Sequence, residues 1–250
     1  MQDKPVALIT GANQGIGFQI AKDIAAKGYT VLLGARNIER GEVAAKAVGT
    51  NAVALQLDVT DEASITAAAA RIRQEFGRLD VLIQNAAIAS AGDDVRTPAA
   101  HVLASRPSIV SLAEMRAVWD TNVFGVLSVY QAMVPILRST PKSRIVNVSS
   151  GAGSLTLNSD PNSPMRPYFD TTYAASKTAL NALTLAMAIE LEADGIKVSA
   201  VSPGYTNTKM NGFTGTDTVE QGAAEAVRVA LGVDGPTGTF THATMGAIPW

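Results

Sequence analysis

The sequence predicts one α/β domain over residues 1–250, a doubly wound, mostly parallel sheet of seven strands with helices on both faces. Three observations carry this. Short apolar runs of strand type alternate along the chain with stretches whose apolar residues recur at helical spacing. The first run passes directly into a glycine-rich turn and then a helix pattern. Finally, 250 residues with 47% hydrophobic side chains and a mean hydropathy of +0.16 can bury one large core.

Composition also narrows the function classes. The formal net charge is -2 and Lys and Arg are scattered, so no nucleic-acid partner is expected. Cysteine is absent, and the two histidines, His101 and His242, have no partners at ligand spacing, so no metal site is expected. The opening M-Q-D-K-P lacks an apolar signal core, and no apolar run reaches membrane-spanning length. A soluble, cytoplasmic protein with no membrane partner is the expectation.

Val6 to Thr10 is the first strand, followed by G-A-N-Q-G-I-G and a helix that Gly28 closes. Gly11, Gly15 and Gly17 stand where the chain turns tightly, lets a ligand approach the backbone and packs helix against strand, with a helix N-terminus offered to a phosphate. A plain tight turn would use the same residues. Thr30 to Gly34 is the second strand and ends in Ala35, Arg36 and Asn37, where a dinucleotide fold reads the adenosine ribose. No acid stands there to repel a 2'-phosphate, and Arg36 and Arg40 could clamp one, which favours NADP over NAD. Two solvated arginines at a helix start are the alternative.

Ala52 to Leu57 is the third strand, Glu62 to Phe76 a helix capped from Thr60/Asp61, and Leu79 to Gln84 the fourth strand. Asp58 and Asn85 fall on the sheet edge where ligands bind, and each could equally be a turn residue bonding its own backbone. Residues 88–111 form a loop with one short helix near Pro98 to Ser105. Leu112 to Leu137 is one long helix in which Asn122, among apolar neighbours, needs hydrogen bonds, and Gly125 permits a local distortion. Arg144 to Val148 is the fifth strand and delivers Ser149 and Ser150 to the same edge. The proline-rich stretch before Tyr173 can hold no long helix. Ile196 to Ser202 is the sixth strand, residues 205–217 suit a flap, Thr218 to Leu231 is a helix and Gly238 to Thr241 the seventh strand.

The chemistry centres on a helix from Thr172 to Leu191. Tyr173 and Lys177 are four apart and share one helical face. A cation beside a phenol favours the phenolate, which would bring the tyrosine towards neutral-pH proton exchange. The same two residues could be an exposed lysine and an amphipathic tyrosine without function.

T-G-A-N-Q-G-I-G at Thr10 to Gly17, Asp58-Val59, Gln84 to Ala87, Asn122, V-N-V-S-S at Val146 to Ser150, Y-A-A-S-K at Tyr173 to Lys177 and Pro203-Gly204 together resemble the short-chain dehydrogenase/reductase family, over nearly the whole chain. Within it the chain is most similar to NADPH-dependent carbonyl reductases, through A-R-N-I-E-R-G and the ending G-T-F-T-H. The resemblance implies a Rossmann-type fold in which Tyr173 is the general acid/base, Ser150 holds the substrate oxygen, Lys177 binds the nicotinamide ribose and lowers the tyrosine pKa, and Asn122 anchors a water in a proton relay. It places NADP(H) against Gly11, Asn13, Gln14, Gly15, Ile16 and Gly17 in the turn, and against Arg36, Asn37 and Arg40 at the second strand. Asp58, Val59, Asn85, Ala86 and Ala87 follow, then Pro203, Gly204, Thr206 and Thr208, with Tyr173 and Lys177 also touching the cofactor.

Four departures from the family pattern stand out. Gln84 to Ala87 replaces the usual N-N-A-G but keeps Asn85, and Gln14 stands where NADP-preferring relatives often carry Lys or Arg. The gap between Ser150 and Tyr173 and the loop at 88–111 are both longer than usual, and with 205–217 they would border the substrate cleft. The implied reaction is hydride transfer from NADPH to a ketone or aldehyde carbon, reversible as alcohol oxidation. An NAD-linked alcohol or hydroxysteroid dehydrogenase is the alternative enzyme. A non-catalytic NADP-binding regulator would have no use for Ser150, Tyr173 and Lys177. No charge occurs between Thr178 and Ile189, and family members typically pack this helix on its symmetry mate, so a dimer or tetramer is expected unless residues 151–171 cover that face.

Overall fold

The computed structural model describes residues 4–92 and 97–250; the first three residues of M-Q-D-K-P and residues 93–96 of the 88–111 loop lie outside the described residues. In chain order the elements are β1 (Val6–Thr10), α1 (Gly15–Ala26), β2 (Thr30–Ala35), α2 (Ile38–Val48), β3 (Ala52–Gln56), α3 (Glu62–Glu75) and β4 (Val81–Gln84). Then come α4 (Pro98–Ala104), α5 (Leu112–Trp119), a π-helical turn (Asp120–Phe124), α6 (Gly125–Ser139) and β5 (Arg144–Val148). The chain continues through α7 (Leu155–Ser159), α8 (Tyr173–Glu190), β6 (Lys197–Ser202), α9 (Val219–Leu231), β7 (Thr239–His242) and β8 (Gly246–Ala247).

All the strands join one sheet in the order β3-β2-β1-β4-β5-β6-β7-β8, parallel except for the β7–β8 pair. The chain winds outward from β1 through β2 to β3, then returns to place β4 on the other side of β1. That reversal opens a crevice at the C-terminal strand ends between β1 and β4, which is where open α/β sheets bind ligands.

Both faces of the sheet are buried, which explains why the strands read as continuous apolar runs. Alternate residues serve opposite layers. Leu8, Leu32, Leu82, Ile145 and Val198 meet α3, α6 and α8 through Ile72, Met133, Leu180 and Met187. Ala7, Ile9, Val31, Ile83 and Val146 meet α1, α2 and α9 through Ile20, Ile24, Ala45 and Ala226.

Local chemistry sets most helix starts. The side chains of Asn37, Asp61, Thr97, Ser111 and Thr218 each accept a backbone N–H from the first turn that follows. Gln14 before α1 supplies no such bond, so the first N–H groups of α1 face the crevice uncapped.

Two expectations differ in detail. An eighth strand, the two-residue β8, pairs antiparallel with β7 beyond the seven expected, and a segment so short carries no periodic signal. The long helix expected from Leu112 is divided into α5 and α6 by the π turn that contains Asn122. A side chain on Gly125 would meet the Val59 carbonyl at 2.7 Å and the Asp120 carbonyl at 3.0 Å, so the residue that leaves the π turn has to be glycine. Among the described residues no helix is long and apolar enough to cross a membrane.

Candidate active site

β5 and α8 bring three of the candidate side chains together. Ser150 follows β5 in extended conformation, and its hydroxyl accepts the Ala152 N–H at 3.2 Å. The Tyr173 phenol projects from the first residue of α8, and the Ser150 hydroxyl acts to lower its pKa. One turn on, the buried Lys177 ammonium donates to the Val148 carbonyl at 2.9 Å and lies 5.7 Å from the Tyr173 ring centre.

The electrostatics depart from the expected pairing. Burial pushes the phenol up to about 12, with the Asp170 charge adding to the rise and the Ser150 hydrogen bond opposing it. Burial also pushes the Lys177 amine down to about 7. Burial is thus the leading influence on both groups, raising the phenol and lowering the amine, against the depression expected from a neighbouring lysine charge. Tyr173 keeps part of its surface on the cleft, which limits how far desolvation acts on it.

Asn122 is fully buried. Its amide oxygen accepts the Ile88 N–H at 2.9 Å, and its amide nitrogen donates to the Ile88 carbonyl at 2.9 Å and to the Ser176 hydroxyl at 3.0 Å. Both amide protons are used, so this side chain clips the segment that follows β4 to α8. A water contact from Asn122 would fall to its backbone carbonyl or to the second lone pair of the amide oxygen.

The glycine turn closes against β4. Asn85 donates from its side chain to the carbonyls of Thr10 (3.0 Å) and Gly11 (3.2 Å), while its own N–H and that of Ala86 donate to the Thr10 hydroxyl, each at 3.0 Å. Gly11 sits at φ +64°, where a Cβ would meet the Ala86 Cα at 2.9 Å. A Cβ on Gly17 would collide with the Asn85 amide and meet the Gly11 carbonyl at 2.6 Å. In this turn Gln14 is exposed, Asn13 is half-buried and Ile16 packs on the core, and the Thr208 methyl lies 3.7 Å from where a Cβ on Gly15 would stand.

The remaining candidates divide by how far their side chains are already engaged. Arg36, just after β2, and Arg40, in the first turn of α2, are exposed, with no side-chain partner among the described residues. Asn37 caps α2 by accepting the Arg40 N–H at 2.8 Å. Asp58 accepts both the N–H (2.9 Å) and the hydroxyl (2.7 Å) of Thr60 and so serves its own turn, and Val59 backs onto Gly125. Thr206 is buried and donates to the Pro203 carbonyl at 2.9 Å, beside Gly204 at φ +77°. Ala87 continues the chain towards Ile88 and the Asn122 clip.

These features fit a nicotinamide dinucleotide. Close-approach glycines line the turn, the uncapped N-terminus of α1 suits a pyrophosphate, and unpartnered guanidiniums stand at the ribose end.

Several site residues escape a reading of the sequence. Asp170 accepts the backbone N–H groups of Thr172, Tyr173 and Ala174, and its ordinary signal, an acid just ahead of a helix start, was obscured by Thr171 and Thr172. His101 comes to 3.5 Å from the same carboxylate, a pairing across the chain that no local pattern announces. Ser154 and Thr156 donate their hydroxyls to the Pro249 and Trp250 carbonyls at 2.6 and 2.7 Å, tying residues 151–159 to the edge of the sheet.

An enzyme that binds a nicotinamide dinucleotide beside a Ser-Tyr-Lys cluster is an oxidoreductase, and comparison with known proteins gives its family. The chain belongs to the short chain dehydrogenase family, whose model matches residues 5–218. The short-chain dehydrogenase anuI of Penicillium roqueforti is 36% identical over 91% of this chain and 88% of its own length. Salutaridine reductase of Papaver somniferum is 31% identical over 94% of this chain and 93% of its own, and its solved structure superposes with a TM-score of 0.80, covering 95% of this chain and 99% of that one. The 3-ketoacyl-(acyl-carrier-protein) reductase of Brucella melitensis, solved in complex with NADH, is 25% identical with a TM-score of 0.77 over 97% of this chain and 98% of its own.

Proposed function

We propose that this protein is an NADPH-dependent carbonyl reductase that reduces a ketone or aldehyde to the alcohol and runs the reverse oxidation with the same residues. The observation that carries the reading is the convergence of Ser150, Tyr173 and Lys177 beside the glycine turn at the C-terminal sheet edge. When bound, NADPH supplies the hydride, and the turn from Gly11 to Gly17, Asp58, Val59, Asn85, Thr206 and Thr208 are the residues that would hold it.

In this reading the hydroxyls of Ser150 and Tyr173 donate to the substrate oxygen, and those bonds strengthen as negative charge grows there. A phenol pushed up to about 12 is protonated at neutral pH, so Tyr173 stands in the form that gives a proton to that oxygen, which suits reduction. Alcohol oxidation needs the phenolate and is favoured as pH rises. Lys177 holds the ribose side of the cofactor and Asn122 fixes the backbone through which a water can resupply the proton. The proline-punctuated segments at 88–111, 151–171 and 205–217 border the substrate cleft in the single domain 1–250.

NADP preference rests on Arg36 and Arg40, whose side chains are exposed and unpaired among the described residues. A panel of ketones of increasing bulk, each assayed with NADPH and NADH, tests the reading. Tyr173→Phe should lower kcat by about 10²- to 10⁴-fold and leave NADPH binding nearly unchanged. Turnover within tenfold of the parent would reject Tyr173 as the acid.

Assembly follows from the outer face of α8. Ala182, Leu185, Ala186 and Ile189 recur at helical spacing and are exposed, Ile189 at 66%, so residues 151–171 leave this stripe uncovered. A homodimer or tetramer burying it is proposed, and light scattering coupled to size exclusion should give at least twice the 25.9 kDa chain mass.

A further inference from the structure

The helix that carries Tyr173 is fixed from outside itself. Thr172, at its start, returns no side-chain cap bond, and Asp170 takes that place. Its Oδ1 accepts the N–H groups of Thr172 and Tyr173, both at 2.8 Å, and its Oδ2 accepts that of Ala174 at 3.2 Å. Three donors that a helix start leaves unpaired therefore end on one carboxylate, and one of them belongs to Tyr173 itself. Asp170 is only 5% exposed.

The hydrogens around this carboxylate can be assigned. Burial opposes ionisation of Asp170, but hydrogen bonds from His101 and Thr172 outweigh it and hold the carboxyl below its ordinary range. An ionised carboxylate only accepts, so the Thr172 hydroxyl, 2.7 Å away, gives it its single proton. Thr172 Oγ1 must then accept from its other neighbours, His101 Nε2 at 3.2 Å and the Ser105 hydroxyl at 3.1 Å. His101 accordingly carries a hydrogen on Nε2, which also faces Asp170 Oδ1 at 3.5 Å. The Ser105 carbonyl completes the cluster by accepting both the N–H (3.3 Å) and the hydroxyl (2.6 Å) of Thr171.

This cluster is also what docks α4. No residue within that helix is buried, so apolar packing contributes little to its placement, and the polar contacts of His101 and of Ser105, just beyond its end, must set it.

We propose that Asp170 and His101 are positioning residues for the Tyr173 phenol: Asp170 anchors the helical turn from which the phenol projects, and His101 holds that carboxylate in register and couples α4 to it. The inference rests on the reading of Tyr173 as the proton donor. The groups that bear on Asp170 are His101 from α4 and Tyr173 on α8, and the Asp170 charge opposes deprotonation of the phenol.

The test uses the full chain and Asp170→Asn, Asp170→Ala, His101→Ala, His101→Gln and Tyr173→Phe. Its first readout needs no substrate: tyrosinate ultraviolet absorbance against pH, with the Tyr173→Phe curve subtracted to isolate Tyr173. Asp170→Asn removes the charge but keeps an acceptor, and should move that transition down by roughly half a pH unit. With NADPH and the panel ketone turned over fastest, Asp170→Ala should lower kcat by about 10- to 100-fold while the NADPH Kd stays within about twofold. His101→Ala should lower kcat by about fivefold, and His101→Gln, whose amide N–H reaches the place of Nε2–H, should restore most of it.

An unmoved Tyr173 transition in Asp170→Asn overturns the inference. So does an Asp170→Ala protein whose kcat is unchanged, or one whose melting temperature, NADPH affinity and kcat fall together. If Tyr173→Phe is inactive in those cases, the proton-donor reading stands and only the positioning role is lost. If Tyr173→Phe stays active, the proton-donor reading itself fails.

Discussion

The crevice between β1 and β4 and the wall formed by residues 97–111 and 151–172 are built by opposite means. At the crevice, backbone meets backbone: glycines let the turn after β1 press on Ala86 and Asn85, and the side chains that matter reach over short distances. In the wall, short helices with little buried surface are joined by hydroxyls, a carboxylate and an imidazole. Steric necessity therefore governs the first and hydrogen-bond inventory the second. A steric site fails all at once when a methyl is added, whereas a hydrogen-bonded one loosens in steps.

Three substitutions sharpen that contrast. Gly17→Ala forces a Cβ onto the Asn85 amide and the Gly11 carbonyl, and should destabilise the fold by about 1–3 kcal/mol while abolishing tight binding of both NADPH and NADH. Thermal melting and cofactor fluorescence check it, and an Ala variant with parental affinity would show that the turn yields more easily than its contacts imply. Arg36→Ala leaves that backbone alone and should weaken NADPH by about tenfold, roughly 1.4 kcal/mol, with NADH hardly changed. Equal losses with both cofactors would make Arg36 structural. Ser154→Ala removes one hydroxyl from the wall, with its bond to the Pro249 carbonyl and its cap on the Leu157 N–H of α7, and should cost about 1–2 kcal/mol. Its signature is a raised KM for the ketone with unaltered cofactor affinity, and a fall in cofactor affinity instead would erase the distinction between the two regions.

The same distinction explains what the sequence disclosed. Strand periodicity, the glycine turn and the Tyr173–Lys177 spacing are local, so the sheet from β1 to β7 and the main cluster could be read in advance. Even the break near Asn122 was signalled, since a buried asparagine three residues before a glycine needs both partners and room. Spacing shows that a lysine is near the phenol and not how far both are buried, so the burial that acts on the pair has no local signature. His101 and Asp170 meet only after the intervening sheet and helices have folded, so their pairing has no signature in either segment.

The π turn at Asp120–Phe124 carries a further consequence, for chain length. Such a turn amounts to one residue more than an α-helix would use, and each residue of an α-helix advances the face by about 100°. Because the wide turn absorbs that extra residue, α5 and α6 keep the faces of one continuous helix; deleting a residue here would leave them in line but shift the residues inside the turn, carrying Asn122 away from Ile88 and Ser176. Between β4 and β5, a residue gained or lost in the loop before α5 should therefore disturb Asn122 less than one gained or lost within these five, so the spacing from Asn122 to Gly125 is a ruler against which insertions elsewhere can be measured.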